Sequence, residues 1–137
     1  MSGGPTETSG SPAPDDEALA LAHTIFDAAR EGNAALLGSY LAAGAPATLT
    51  TASGDSLVML AAYHGHAGTV RLILDHGGDA NMPNERGQTP LAGAVFKGYT
   101  DVARELLEAG ADPDAGTPSA RAAAQMFART DILALLG

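Results

Sequence analysis

The 137-residue chain contains no cysteine and no tryptophan. Without cysteine it can form no disulfide framework, no thiolate nucleophile and no zinc site of the common sulfur type. The chain has seven basic and 16 acidic residues, a formal net charge of −9. A surface that binds nucleic acid needs a stripe of basic residues instead. No apolar run approaches the length that crosses a bilayer. We therefore expect one domain with neither a nucleic-acid nor a membrane partner.

Catalytic motifs are also missing. No Gly-x-Ser-x-Gly elbow occurs, and the glycine pair at 77–78 is not followed by the Lys-Ser or Lys-Thr of a phosphate loop. His64 and His66 form a His-x-His, but a helical spacing of two points the side chains apart and makes a poor metal chelate. The sequence predicts a protein that is not an enzyme and that has no cofactor and no metal.

Residues 1–14 are rich in Gly, Ser, Thr and Pro and have no apolar anchor. Such a segment cannot offset its ordering entropy, so we expect a disordered tail. It has no basic n-region and no apolar h-region, which argues against a secretory signal. A cytoplasmic location is the default expectation.

The most informative feature present is a repeat with a period of 33 residues. A fixed period of this size is typical of stacked-repeat architectures. It relates small and turn-forming residues in pairs: Gly54 and Gly87, Gly65 and Gly98, Gly77 and Gly110, Asp79 and Asp112.

One unit of the repeat predicts two short helices. Apolar residues at spacings of three and four crowd segments 58–62 and 70–74, and Gly65 and Gly77 end these segments where a left-handed residue is favoured. Thr89 is a plausible N-cap, with Pro90 in the first turn. Alanine pairs at 28–29 and 61–62 keep the first helix thin, so that neighbouring units can approach closely.

The motifs resemble the ankyrin-repeat family, and small bacterial members of it in particular. Segment 87–91, Gly-Gln-Thr-Pro-Leu, and segment 110–112, Gly-Ala-Asp, match the family pattern closely. Departures are Ser56-Leu57 for Thr-Pro, Gly78 for alanine and Tyr99 for histidine. The resemblance covers roughly residue 18 to the last residue. It implies an all-α solenoid of helix-turn-helix units with short hairpin or turn fingers.

We divide the repeat domain, residues 15–137, into about four units. The expected units are an N-terminal cap at 15–50, full repeats at 51–83 and 84–116, and a truncated C-terminal cap at 117–137. The outer two depart most from the pattern, as terminal repeats usually do.

The resemblance also implies that the concave helix face and the fingers contact a partner. The candidate partner-binding residues are the first-helix ends and the finger residues: Arg30, Glu31, Tyr63, His64, Phe96, Lys97, Ser53, Asp55, Glu85, Arg86 and Gln88. Tyr63 and Phe96 are expected to stack one unit apart, with Met126 or Phe127 as a continuation. The alternative is that these rings pack between repeats.

The predicted function is a non-catalytic protein–protein interaction module, monomeric on its own, whose partner is another protein. The acidic surroundings favour a basic or neutral partner. The alternative prediction is an accessory or regulatory subunit of a bacterial stress-response enzyme.

Overall fold

A computed structural model describes residues 14–137. The expected disordered tail lies outside this range, apart from its last residue. Within the range, the chain forms eight helices: α1 (Pro14–Glu31), α2 (Ala34–Ala42), α3 (Leu57–Tyr63), α4 (Ala67–Asp75), α5 (Pro90–Lys97), α6 (Thr100–Glu108), α7 (Ala120–Met126) and α8 (Thr130–Leu136).

The helices form four pairs, joined by tight turns at residues 32–33, 64–66, 98–99 and 127–129. The first helices α1, α3, α5 and α7 pack side by side in one row, and α2, α4, α6 and α8 pack in a second row against them. β-Pairing in residues 14–137 is limited to an isolated bridge between Thr50 and Ser56. The predicted all-α repeat fold is confirmed, while the unit boundaries stay predictions.

Hydroxyl caps define where α3, α5 and α7 begin. Ser56, Thr89 and Ser119 each accept a hydrogen bond of 3.1 Å from the backbone N–H three residues later. Each cap satisfies one of the N–H groups that a helix start leaves without a partner. Pro90 follows its cap at the first helical position, where proline loses no helical hydrogen bond. Serine therefore replaces threonine at the start of α3 without loss of the cap.

Alanine lines the row of first helices. Ala29, Ala61, Ala62, Ala94 and Ala124 are all fully buried. Larger apolar side chains from the second row fill the space between the two rows: Leu37, Ile73, Leu106 and Ile132. The core is consequently one continuous strip that runs along the stack, as expected when each repeat buries its apolar face against its neighbours.

A close backbone contact joins the first unit to the second. Gly32 ends α1 with φ of 73°, and a Cβ placed on it would lie 2.5 Å from Nδ1 of His66. Nε2 of the same imidazole lies 2.8 Å from the carbonyl oxygen of Arg30 and donates to it. The imidazole can reach this carbonyl because Gly32 has no side chain. We call such a contact a glycine junction.

Glycine junctions recur at the next two unit boundaries. The Tyr99 ring lies over Gly65, 3.0 Å from the point that a methyl group on this glycine would occupy, and the Arg129 guanidinium lies over Gly98 at the same distance. Arg129 also donates to the carbonyl of Phe96 at 3.1 Å. The residue after the left-handed turn position (Gly65, Gly98 or Ala128) thus reaches back one unit, whether it is histidine, tyrosine or arginine.

Alanine at Gly32 is expected to lower stability beyond the cost of its backbone conformation. Left-handed backbone costs a non-glycine residue about 1–2 kcal/mol, and the added methyl also collides with His66. Gly87→Ala is the matched control, since Gly87 has φ of 77° and no neighbour within 4 Å of its Cβ position. Urea denaturation should show a larger loss for Gly32→Ala, and equal losses would contradict the junction.

The last unit has alanine where the other units have glycine. Ala128 has φ of 53° and is the one non-glycine residue with positive φ among residues 14–137. Ala128 follows Phe127, the C-cap residue of α7. Because glycine adopts this conformation without steric strain, the position stores strain that the inner units avoid.

Ala128→Gly is therefore expected to raise the free energy of unfolding by about 1 kcal/mol. Thermal or urea denaturation measures the change. Ala109→Gly serves as the control, since Ala109 ends α6 with φ of −89° and glycine there brings only an entropy cost. A stabilisation by both variants, or by neither, would contradict the assignment.

Candidate functional site

The ends of the first helices and the fingers enclose a groove on one face of the stack. Its first part, the apolar half, has a volume of about 240 Å³ and is lined by Met59, Tyr63, Gln88, Ala92, Gly93, Phe96, Pro118, Ala123, Met126 and Phe127. Its second part, the polar half, has about 260 Å³ and is lined by Arg30, Asp55, Met59, Leu60, Tyr63, His64, Asn84, Arg86 and Gln88. The halves share Met59, Tyr63 and Gln88 and therefore adjoin.

The aromatic rings of the apolar half are held by neighbouring units. Phe96 and Phe127 meet edge to face, with centroids 5.1 Å apart and an interplanar angle of 84°. Tyr63 lies over the backbone of Gly93, whose Cβ position is 3.1 Å from the tyrosine Cδ1, and the Lys97 ammonium lies 4.9 Å from its ring centroid. The predicted Tyr63–Phe96 stack is wrong. Because Gly93 has no side chain, Tyr63 packs on its backbone, and the ring beside Phe96 is that of Phe127.

Both alternatives for these rings hold in part. Each ring packs against the next unit, yet Tyr63 is 39% exposed and Phe96 is 49% exposed. Met126 is more exposed still, at 67%. Large apolar side chains that are fixed on one edge and open on the other are well suited to contact a partner.

The polar half contains charged groups in different states of pairing. Arg30 forms an ion pair with Asp27 at 2.8 Å. His64 uses Nδ1 to donate to the carbonyl of Leu60 at 2.8 Å. Arg86 is exposed, and among the side chains of residues 16–137 no carboxylate oxygen lies within 4.0 Å of its guanidinium. The unpaired cation of the polar half is therefore on a finger.

Two arginines outside the groove lining are paired with carboxylates. Arg71 on α4 contacts Glu105 at 2.8 Å and Glu108 at 3.0 Å on α6, and the nearby Glu105 carboxylate raises the pKa of Arg71. Arg121 bonds to Asp114 at 2.8 Å, and this hydrogen bond lowers the pKa of that carboxyl group. Such exposed pairs contribute little stability, but they leave these cations unavailable to a partner.

Asn84 fixes the finger that borders the groove. Its buried side chain donates to Asp55 Oδ1 at 2.9 Å and to Gln88 Oε1 at 2.8 Å. Its Oδ1 accepts from the backbone N–H groups of Arg86 at 2.9 Å and Gln88 at 3.0 Å. Thr51, one period earlier, plays a simpler form of this role by accepting from the N–H of Asp55. The 33-residue register could have identified Asn84 as a turn-closing residue.

The structure brings most of the predicted site residues to the groove. Those that line it are Arg30, Asp55, Tyr63, His64, Arg86, Gln88 and Phe96. Four lie beside it or away from its lining: Glu31, Ser53, Glu85 and Lys97. Glu85 and Ser53 instead connect two fingers through a backbone hydrogen bond of 3.1 Å from the N–H of Glu85.

Sequence reasoning missed Met59 as a groove residue. Met59 precedes Tyr63 by four positions on α3, a spacing that places two side chains on one helix face. It lines both halves of the groove. The helical spacing from Tyr63 was therefore a signal that could have found it.

His64, His66 and His76 each bond through a ring nitrogen to a backbone carbonyl. His76, like His64, donates from Nδ1 to a carbonyl one turn earlier in its own helix, at 2.9 Å. Among the side chains of residues 16–137, no group of three or more metal-ligating residues comes together. Over the same residues, no helix combines the length and the apolar character needed to cross a membrane.

Stacked helix pairs with a groove along the first-helix row define a helical repeat protein. A family model for ankyrin repeats, in three copies, matches residues 25–117. The chain therefore belongs to the ankyrin-repeat family. Ankyrin repeats are generally protein-interaction modules and are typically non-catalytic.

A curated relative comes from Pseudomonas aeruginosa and is named as an ankyrin repeat protein. The two proteins are 46% identical over 50 residues, which is 36% of this chain and 29% of the relative. The similarity thus spans less than a third of the relative's length.

Asn84→Ala is expected to lower the free energy of unfolding by about 1 kcal/mol, because it leaves two partly buried backbone N–H groups without their acceptor. Amide exchange of Arg86 and Gln88 should accelerate, since both N–H groups bond to the lost oxygen. Asn81→Ala is the control, as Asn81 makes its hydrogen bonds at an exposed turn on Gly110 and Asp112. Unchanged exchange at 86 and 88 would show that the side chain does not hold the finger.

Proposed function

We propose that the chain binds a partner protein through this groove and acts as a non-catalytic interaction module. The observation that supports the proposal best is the partly exposed aromatic set of the apolar half, Tyr63, Phe96 and Phe127. Binding energy at protein interfaces is concentrated in a few aromatic and arginine residues near the centre of the contact.

Rigidity of the groove favours the same role. Tyr63 contacts the Gly93 backbone and the Lys97 ammonium, and Phe96 packs against Phe127. Side chains that are already ordered lose less conformational entropy when a partner binds. The groove should consequently change little between its free and bound forms.

The double variant Tyr63→Ala/Phe96→Ala is expected to weaken partner binding by at least about tenfold, since two hot-spot rings are removed. Wild-type and variant chains serve as baits in lysate of the source organism, and captured proteins are quantified by mass spectrometry. The dissociation constant of each specific partner is then measured by calorimetry with purified proteins.

Arg104→Ala is the matched control, because Arg104 is exposed on α6 in the second row. It should leave the affinity unchanged, and circular dichroism should show the helical fold in all chains. A partner that binds the folded double variant as tightly as the wild type would refute the proposed binding face.

In this role the chain acts as a monomer in the cytoplasm, with the groove open to its partner. The captured partner decides whether the chain is an accessory subunit of a stress-response enzyme. If the partner is an enzyme, its activity is assayed with and without the chain, and an altered kcat or KM would establish the regulatory role.

A further inference from the structure

We propose that the occupant of the groove is an extended peptide segment of the partner that carries a large apolar side chain close to an acidic one. The apolar side chain enters the apolar half, and the carboxylate reaches the polar half. This assignment rests on the proposed function and names the chemistry of the partner at the same site.

The shape of the groove favours an elongated occupant. Its two halves, of about 240 and 260 Å³, differ in their lining, one being apolar and the other polar. The halves adjoin at the residues that they share, among them Tyr63 and Met59. An elongated occupant that places one side chain in each half fits this shape.

The lining of the apolar half selects the first side chain. Its exposed contacts are the rings of Tyr63, Phe96 and Phe127 and the side chain of Met126. None of its lining residues is charged. Methionine side chains adapt to irregular shapes and contact aromatic rings favourably, so aliphatic and aromatic side chains suit this half.

The charges along the groove select the second side chain. Four of the chain's seven basic residues lie along this face, namely Arg30, Arg86, Lys97 and Arg129. Arg30 is already paired, and Arg129 is bonded to the Phe96 carbonyl. Arg86 remains free to bond to a carboxylate from the partner, among the residues that the structure describes. Arginine offers a fork of donors that matches a carboxylate.

An acidic partner segment differs from the basic or neutral partner that the net charge favours. The net charge of −9 averages over the whole chain, and paired acids such as Glu105, Glu108 and Asp114 lie outside the groove lining. Asp55 is the one carboxylate in the lining, and it accepts from Asn84. The long-range field of the acidic chain opposes a phosphate backbone, so a single acidic side chain beside an apolar anchor is the better match.

A random-peptide phage library selected on the wild-type chain provides the probes. The enriched peptides are expected to combine a large apolar residue with Asp or Glu within about four positions. One enriched peptide and its Asp/Glu→Lys form are then labelled with fluorescein and titrated with each chain by fluorescence polarisation. The chains are the wild type, Arg86→Glu, Arg86→Gln and the control Arg104→Glu.

Arg86→Glu is expected to lower the affinity for the acidic peptide by at least about fivefold, because one opposite-charge contact is reversed. The same variant should bind the lysine form of the peptide more tightly than the wild type does. The affinity of Arg86→Gln for the acidic peptide should lie between those of the wild type and Arg86→Glu. Arg104→Glu should bind both peptides with wild-type affinity. Enrichment of basic peptides or of none, or equal affinity of both peptide forms for the wild type, would overturn the acidic assignment.

Failure of the proposed function gives a different result. If the enriched peptides bind Tyr63→Ala/Phe96→Ala as tightly as the wild type, they occupy another surface, and both the groove and its acidic occupant are refuted. If that variant loses binding while Arg86→Glu has no effect, the groove stands and the acidic partner alone is refuted.

Discussion

The close approach of successive units is the constraint on which the whole structure depends. Two features make it possible: buried alanines on the first helices and glycines at their ends. At Gly32 the missing side chain lets the His66 imidazole reach a carbonyl of the preceding unit. A helix pair alone has too little apolar surface to be stable, so each unit depends on these contacts with the next.

The groove is a consequence of that stacking. Tyr63 comes from α3, yet its ring rests on Gly93 of α5, and Phe96 of α5 rests on Phe127 beyond α7. No single unit therefore contains a complete site. The finger network has the same character, because Asn84 of one finger bonds to Asp55 of the preceding one. Stability and binding geometry consequently share the same inter-unit contacts.

The candidate site could be predicted in outline but not in its contacts. The 33-residue register located the helix ends and fingers, and Tyr63, His64, Phe96 and Arg86 do line the groove. The register could not predict which aromatic rings contact each other. A period identifies equivalent positions, but it does not give the direction in which each side chain points. The direction depends on local space, and the glycine at position 93 supplies that space for Tyr63.

The sequence by itself determined the architecture, since helix caps, turn glycines and apolar spacing are local signals that each unit carries. It also determined the family, because those signals recur at a fixed period. Only the tertiary structure decided which charges remain unpaired on the groove and which are neutralised elsewhere. Arg71 and Arg86 have the same side chain, but Arg71 on α4 forms ion pairs with carboxylates of α6, its neighbour in the second row. Arg86 lies on a finger, where no carboxylate of the described side chains comes within ion-pair distance. Pairing of this kind depends on distances between units, which composition and net charge do not contain.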